Sequence, residues 1–187
     1  EMFYSSYNFN QPVGNLDKLV EGGYMFCDCG NFNQPIGNLS NLVNGNHMFC
    51  YSNNFNQPVG NLDNLVNGVD MFYNCQSFNQ PVNLGNLVDG QNMFKECDNF
   101  NQPVGDLSNL VGGIQMFQDC RSFNQPLNLS NLVYGSGMFN YCEIFNCTVG
   151  NLDNLVYGSE MFYYCPNFNQ PVGNLDNLVN GAFMFEN

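Results

Sequence analysis

Cysteine is the most chemically versatile residue type in this chain, because thiols form disulfides, bind metals and act as nucleophiles. Nine are present among 187 residues. Six share one position of a repeating unit, which holds Ser6 and Ser52 in two other repeats. Because Ser can replace Cys there, we interpret the position as one that needs a small side chain, and we predict a buried column of free thiols. These six are Cys29, Cys75, Cys97, Cys120, Cys142 and Cys165.

Cys27 and Cys50 differ from those six, because they occupy one variable position in two successive repeats. Stacked repeats would place the two residues roughly 5 Å apart, which is within disulfide range, although parallel Cβ directions disfavour the bond. The pair is our candidate disulfide. Zinc is not expected, since no cysteines have CxxC spacing and His47 is the single histidine.

Carboxylates are the other candidate ligands, and four of them share a repeat position: Asp17, Asp63, Asp153 and Asp176. Ser or Gly fills that position elsewhere, and calcium needs six or more oxygen ligands. A solvated acidic surface therefore explains them better than a metal site. An active site needs one unique arrangement of residues, whereas these groups all repeat. We expect neither catalysis, a cofactor nor a metal.

These residues are positioned by a tandem repeat, which Met marks at steps of 22 or 23 residues along the whole chain. The unit reads Met-Phe-x-x-Cys-x-x-Phe-Asn-Gln-Pro-Val-Gly-Asn-Leu-Asp-Asn-Leu-Val-x-Gly-x-x, and the two shorter units lack the Gly after Val. The chain begins and ends within a repeat. We expect residues 1–187 to form a single domain that is a segment of a longer array.

A repeat of this length predicts a solenoid: a leucine-rich-repeat-like stack of eight coils, with parallel β-strands and one short helical turn per coil. Repeated Phe and Leu would build a continuous core. The later invariant Gly, which often follows Asn or Asp, predicts a corner with positive φ. We expect the Asn after the second Phe to form a buried ladder that pairs backbone groups through its donor and its acceptor. Its members are Asn10, Asn33, Asn56, Asn79, Asn101, Asn124, Asn146 and Asn169.

The pattern Met-Phe-x-x-Cys-x-x-Phe-Asn-Gln-Pro resembles the BspA-like leucine-rich-repeat surface proteins, in particular their lipoprotein-associated branch. It is also similar to the FNIP repeats of amoebae and large DNA viruses. The resemblance covers the whole chain and implies a parallel-stranded solenoid on a cell or virus-particle surface, often with a role in adhesion. The lipoprotein-associated branch usually has Trp after Pro, whereas these repeats continue with Leu-x-x-Leu.

Charge excludes several partners. The chain has 16 acidic and three basic residues, which gives a net charge of −13. Nucleic acids and anionic membranes are recognised by Lys and Arg, and Lys18, Lys95 and Arg121 form no patch. No apolar run is long enough to span a bilayer, so we expect no membrane insertion by this segment.

Tyrosine is concentrated at the variable positions, which suggests a contact stripe for a protein partner. Tyr would equally suit an exposed β-surface without binding anything. Two functions remain open: an extracellular adhesion or protein-binding module, or a structural fibre or particle coat built from copies of the chain. The candidate stripe comprises Tyr4, Tyr7, Tyr24, Tyr51, Tyr73, Tyr134, Tyr141, Tyr157, Tyr163 and Tyr164.

Overall fold

A computed structural model describes residues 1–187 as coils of one repeat each, stacked in chain order. The backbone contains no helix and no strand longer than one residue. Instead, the residue before the late Gly of each repeat forms an isolated parallel bridge to the same position in the next repeat. The predicted strands and helical turn are therefore not confirmed. The bridged residues are Glu21, Asn44, Asn67, Asp89, Gly112, Tyr134, Tyr157 and Asn180.

Hydrogen bonds around each Met alternate between two directions. In the second coil, the N–H groups of Tyr24, Phe26 and Asp28 donate to carbonyls of the following coil at 2.7–3.1 Å. The N–H groups of Met25, Cys27 and Cys29 each donate instead to the carbonyl three residues earlier in the same coil. Every N–H from residue 24 to 29 is thus paired, which a buried backbone requires. Turns and bonds between coils therefore supply the backbone hydrogen bonds that a helix would otherwise supply.

Left-handed residues explain why this segment turns instead of forming a helix. From Met25 onward the residue immediately before each Met has positive φ, and so does the fourth residue of each of the eight Met-Phe-x-x-Cys segments from Met2 to Cys165, two of which end in Ser. Fifteen of these sixteen residues are not glycine, and their φ angles lie between 51° and 62°. Positive φ at the third residue of a four-residue turn is the geometry of a type II turn, and it interrupts any helix. The first three residues of the motif therefore lie between two left-handed residues, such as Tyr24 and Asp28.

Two columns of Phe form the centre of the core. The Phe after Met stacks on its counterpart in the next coil, as Phe26 does on Phe49 with ring centroids 5.5 Å apart and planes at 4°. Within a coil, Phe26 also stacks on Phe32 at 4.3 Å. Met, Leu, Val and the Cys column pack around these rings in one cluster of buried residues. No single coil could enclose its own rings, so each coil depends on its neighbours.

The invariant late Gly does not adopt the positive φ expected for it, and that expectation was wrong. Its role is close packing: a Cβ on Gly45 would lie 2.9 Å from Sδ of Met71 in the next coil. The Gly after Val, which the two shorter repeats lack, is the one with positive φ, as at Gly60 with φ of 71°. The sequence pattern could not distinguish these roles, because both favour glycine.

Candidate functional site

The structure brings the most variable positions of the repeat together on one side of the stack, which we call the variable face. Three positions define it: the residue before each Met and the two residues between Phe and Cys of each Met-Phe-x-x-Cys motif. Seven of the ten tyrosines lie there. Tyr134 and Tyr157 instead stack on each other in the bridge column, 5.5 Å apart, and Tyr7 lies outside both columns. The predicted tyrosine stripe is thus divided into two columns and one separate residue.

The side chains of this face contact one another from coil to coil. The ring of Tyr24 stacks on His47 at 4.4 Å, and His47 in turn lies 3.6 Å from the carboxylate of Asp70. The Tyr73 hydroxyl lies 3.3 Å from a carboxylate oxygen of Glu96. Hydrogen bonding with Tyr51, burial and the nearby Glu96 carboxylate together raise the pKa of Tyr73, so this phenol stays protonated. The face is therefore a connected polar and aromatic surface.

Four buried side-chain oxygens have no hydrogen-bond partner, and all four belong to the variable face. They are the amide oxygens of Asn74, Asn92, Gln118 and Asn140. Asn140 is the most enclosed, with 5% of its surface exposed. Its amide nitrogen donates to Glu160, which fixes the orientation of the amide and leaves the oxygen free. An unpaired buried acceptor costs about 1–3 kcal/mol, so the packing of this face is maintained against a local energetic penalty.

Two cavities open on the variable face, and both are lined only by its residues. One, of about 310 Å³, is lined by Asn140, Tyr141, Glu160, Tyr163, Phe183 and Glu186. The other, of about 490 Å³, is lined by Tyr4, Tyr24, Cys27, Asp28, His47, Cys50 and Tyr51. Each combines aromatic walls with at least one carboxylate. Such a combination suits a positively charged group, because both carboxylates and aromatic faces attract cations.

Basic residues neutralise little of this surface. Lys95 donates to Gln115 and lies 5.9 Å from the ring centroid of Tyr73. Arg121, just outside the face, lies 3.9 Å from Asp119 and 3.7 Å from Glu143. Glu160 and Glu186, which line the smaller cavity, have no ion-pair partner. The cavity around Asn140 is therefore the part of the face with the clearest excess of acceptors over donors.

The predicted Cys column has a function that sequence reasoning missed. Each of its six thiols donates to the carbonyl of the first Phe in the preceding coil, at 2.8–3.0 Å. Ser52 makes the same bond through its hydroxyl at 2.6 Å. The position therefore needs a donor as well as a small side chain, and the Cys-to-Ser replacement was the available signal.

Cys27 and Cys50 are free thiols in the structure. They are almost fully buried, with 6% and 3% of their surfaces exposed, and they line the same cavity. No group of three or more His, Cys, Asp or Glu side chains is arranged to hold a metal ion. No helix is long and apolar enough to cross a membrane.

The predicted Asn ladder is present in space, but it is less buried than expected. Its members are exposed or half-buried. The amide oxygen of Asn56, for example, accepts from the N–H of Asn79 and from the side chain of Gln80, both at 3.0 Å. The ladder uses its oxygens and not its amide nitrogens, so it links coils at the surface.

These features define a tandem-repeat protein with one variable surface. Comparison with family models matches residues 1–84, 64–152 and 91–187 to the family described as "Mycoplasma protein of unknown function, DUF285". The chain belongs to this family. The overlapping matches support a repeat protein of that family, and the resemblance to BspA-like or FNIP repeats is not confirmed by them. No curated protein and no solved structure matches the chain.

Proposed function

We propose that the chain is a non-enzymatic, leucine-rich-repeat-like solenoid whose variable face binds a protein partner through Lys or Arg side chains. The observation that carries this proposal is the cavity of about 310 Å³ on that face, where the carboxylates of Glu160 and Glu186 lie beside aromatic rings and have no ion-pair partner. A Lys or Arg side chain of a partner would pair with these carboxylates and contact the rings. Display on a cell or particle surface, with a role in adhesion, is the setting we propose for this binding.

Asn140 supplies the most specific part of the argument. Its amide nitrogen donates to the Glu160 carboxylate at 3.3 Å, and both residues line a cavity that includes the ring of Tyr163. An ammonium or guanidinium group entering this cavity would donate to the Glu160 carboxylate, which Asn140 holds in place, and would contact the ring of Tyr163. Hydrogen bonds to charged donors contribute about 1.5–3 kcal/mol, so this contact alone would affect affinity measurably.

Rigidity of the face also favours recognition. Positive φ at positions such as Tyr51 and Tyr141 sets the direction in which the Cα–Cβ bond leaves the backbone. Tyrosine offers a large contact area with little conformational entropy to lose, and a preorganised surface avoids part of the cost of association. The arrangement is thus suited to binding without refolding.

Charge decides between this proposal and the fibre alternative. Two copies of a chain with net charge −13 repel each other, and the chain has three Lys and Arg residues to satisfy the acceptors of a second copy. A basic partner complements the variable face better than a copy of the same chain does. We therefore place protein binding before self-association.

The test is isothermal titration calorimetry of the purified chain with a synthetic peptide of alternating lysine and glycine, at near-physiological ionic strength. We expect binding that weakens about tenfold in Glu160→Gln, the loss expected for one charge-assisted contact. The matched control is Asp153→Asn, which removes the same charge at an exposed position outside the variable face. This control should retain most of the affinity.

Equal losses in Glu160→Gln and Asp153→Asn would show that the peptide senses only net charge, and would overturn the proposal. So would the absence of binding to the wild-type chain. Light scattering on the same samples distinguishes the fibre alternative, which predicts association of the chain with itself in the absence of peptide.

A further inference from the structure

The nine thiols of the chain fall into groups that differ in their partners. Six are tied to main-chain carbonyls in the Cys column, and Cys147 donates to the carbonyl of Asn124 at 3.3 Å. Burial is the main cause that raises the pKa of the column thiols, to about 11 for Cys29 and to about 12 for Cys165. A thiol that is kept neutral is a poor nucleophile. This group is therefore structural.

Cys27 and Cys50 have a different environment. Neither thiol donates to a main-chain carbonyl, and both face the cavity of about 490 Å³ on the variable face. The backbone fixes their registry, since the N–H of Asp28 donates to the carbonyl of Cys50 at 2.7 Å. Stacked positions of this kind lie about 4.8 Å apart, within the Cα separations that a disulfide can span. The two side chains are thus neighbours that are almost fully buried and that border the same cavity.

The two thiols also differ from each other. Hydrogen bonding from the Cys50 thiol lowers the pKa of Cys27, against the opposing effects of burial and of the Asp28 and Asp70 carboxylates. The same contact raises the pKa of Cys50. A thiol with lowered pKa beside a second thiol is the arrangement of an attacking and a resolving cysteine.

We propose that Cys27 and Cys50 form a dithiol modification site, which reacts with a small-molecule disulfide and becomes an internal disulfide between adjacent coils. The site lies on the variable face but does not depend on what that face binds. Its substrate class is a low-molecular-weight disulfide, written RSSR below.

The reaction proceeds by two exchanges. The Cys27 thiolate attacks one sulfur of RSSR, which forms a Cys27–SR bond, breaks the S–S bond and releases RS⁻. The Cys50 sulfur then attacks the Cys27 sulfur, releases the second RS⁻ and closes the Cys27–Cys50 bond. The protons of the two protein thiols end on the two released RS⁻ groups. One RSSR is reduced to two RSH, and two protein thiols are oxidised to one disulfide.

Geometry predicts that this disulfide is easily reduced. In parallel coils the two Cβ atoms lie about 4.8 Å apart, whereas a relaxed disulfide holds them at about 3.8 Å. Closing the bond must draw the coils together locally. A strained disulfide has a higher reduction potential than a relaxed one, which makes it suited to reversible modification.

The experiment uses the reduced, folded chain and glutathione disulfide, followed by intact mass and peptide mapping without reduction. We expect the wild-type chain to lose two hydrogens and to yield one cross-linked pair of peptides, containing Cys27 and Cys50. Cys50→Ser should stop at a glutathione adduct on Cys27. Cys27→Ser should react more slowly than Cys50→Ser, because burial raises the pKa of the remaining Cys50 thiol.

Cys147→Ser is the matched control, because it removes the one thiol outside the column and the pair, and it should leave the reaction unchanged. Three results would overturn the proposal: predominant adduct at Cys147, a stable wild-type adduct on Cys27 without closure, or no reaction. The wild-type peptide map alone decides among them, so the conclusion does not depend on the stability of the variants.

Discussion

The side chains of the Cys column act as hydrogen-bond donors inside the core. Cys75, which is fully buried, donates to the carbonyl of Phe49, and Ser52 makes the equivalent bond one coil earlier. Exchange between a thiol and a hydroxyl is tolerated because both donate from nearly the same place. A small apolar side chain would fill part of the space but leave the carbonyl with one bond fewer.

The donor role of the thiol predicts which of two Cys75 variants has the larger free energy of unfolding. Cys75→Ser and Cys75→Ala remove similar volume, and they differ in a hydroxyl group. We expect the Ser variant to be more stable than the Ala variant by about 1 kcal/mol, the value of one buried hydrogen bond. Denaturant unfolding of both variants measures the difference. If the position required only small size, the order would reverse, because a buried hydroxyl without a partner is destabilising.

The positive φ of the residues before Met and before Cys could have been predicted from the residue types found at these two positions. The residue before Met and the residue before Cys vary widely, from Tyr to Asp to Glu, but they are never Val, Ile or Thr. β-Branched residues are the ones that least tolerate positive φ. That absence was a usable signal, which was hidden by the expectation of a helical turn across the motif.

At the scale of one coil, two Asn columns form different hydrogen bonds to the neighbouring coils. The column after the second Phe accepts bonds through its amide oxygens, whereas the column before the second Leu donates through its amide nitrogens. Asn64 illustrates the second case, with its amide nitrogen 2.7 Å from the carbonyl of Ser40 in the preceding coil. Identical residues therefore have complementary roles, which their identity alone does not reveal.

The accepting role predicts different outcomes for two substitutions of Asn56. Asn56→Ala leaves the N–H of Asn79 and the side chain of Gln80 without their acceptor, and we expect a loss of about 1–2 kcal/mol in the free energy of unfolding. Asn56→Asp keeps an acceptor oxygen and should lose less than half as much. Thermal unfolding of both variants, at a pH where Asp is ionised, measures the two changes. Equal losses would contradict the assignment.

Much of the coil could be anticipated from the sequence, since repeating Phe, Leu and Cys positions must stack to be buried. The path of the backbone within each coil could not be anticipated in the same way. Val and Leu after Pro suggested strands, yet the structure has one bridged residue per coil, as at Asn67. Regular strands need consecutive residues to pair, and here the alternate N–H groups are used for turns within the coil.

At the scale of the whole molecule, net charge and surface pattern act together. A charge of −13 attracts any basic partner weakly, but it does not determine where that partner binds. The variable face adds unpaired acceptors, tyrosine rings and fixed backbone directions. The sequence identified the enrichment in Tyr and acidic residues, whereas the unpaired oxygens of Asn74, Asn92, Gln118 and Asn140 emerged only from the packing of the coils.

The most direct test of the variable face is a nuclear magnetic resonance titration of the isotope-labelled chain with the lysine–glycine peptide. We expect shift changes concentrated on the variable face, with the Asn140 side-chain amide among the largest, and little change at the Asp17, Asp63 and Asp153 column. A control peptide with glutamine in place of lysine should leave the spectrum nearly unchanged. Changes spread evenly over all acidic residues, or centred on that Asp column, would contradict the account.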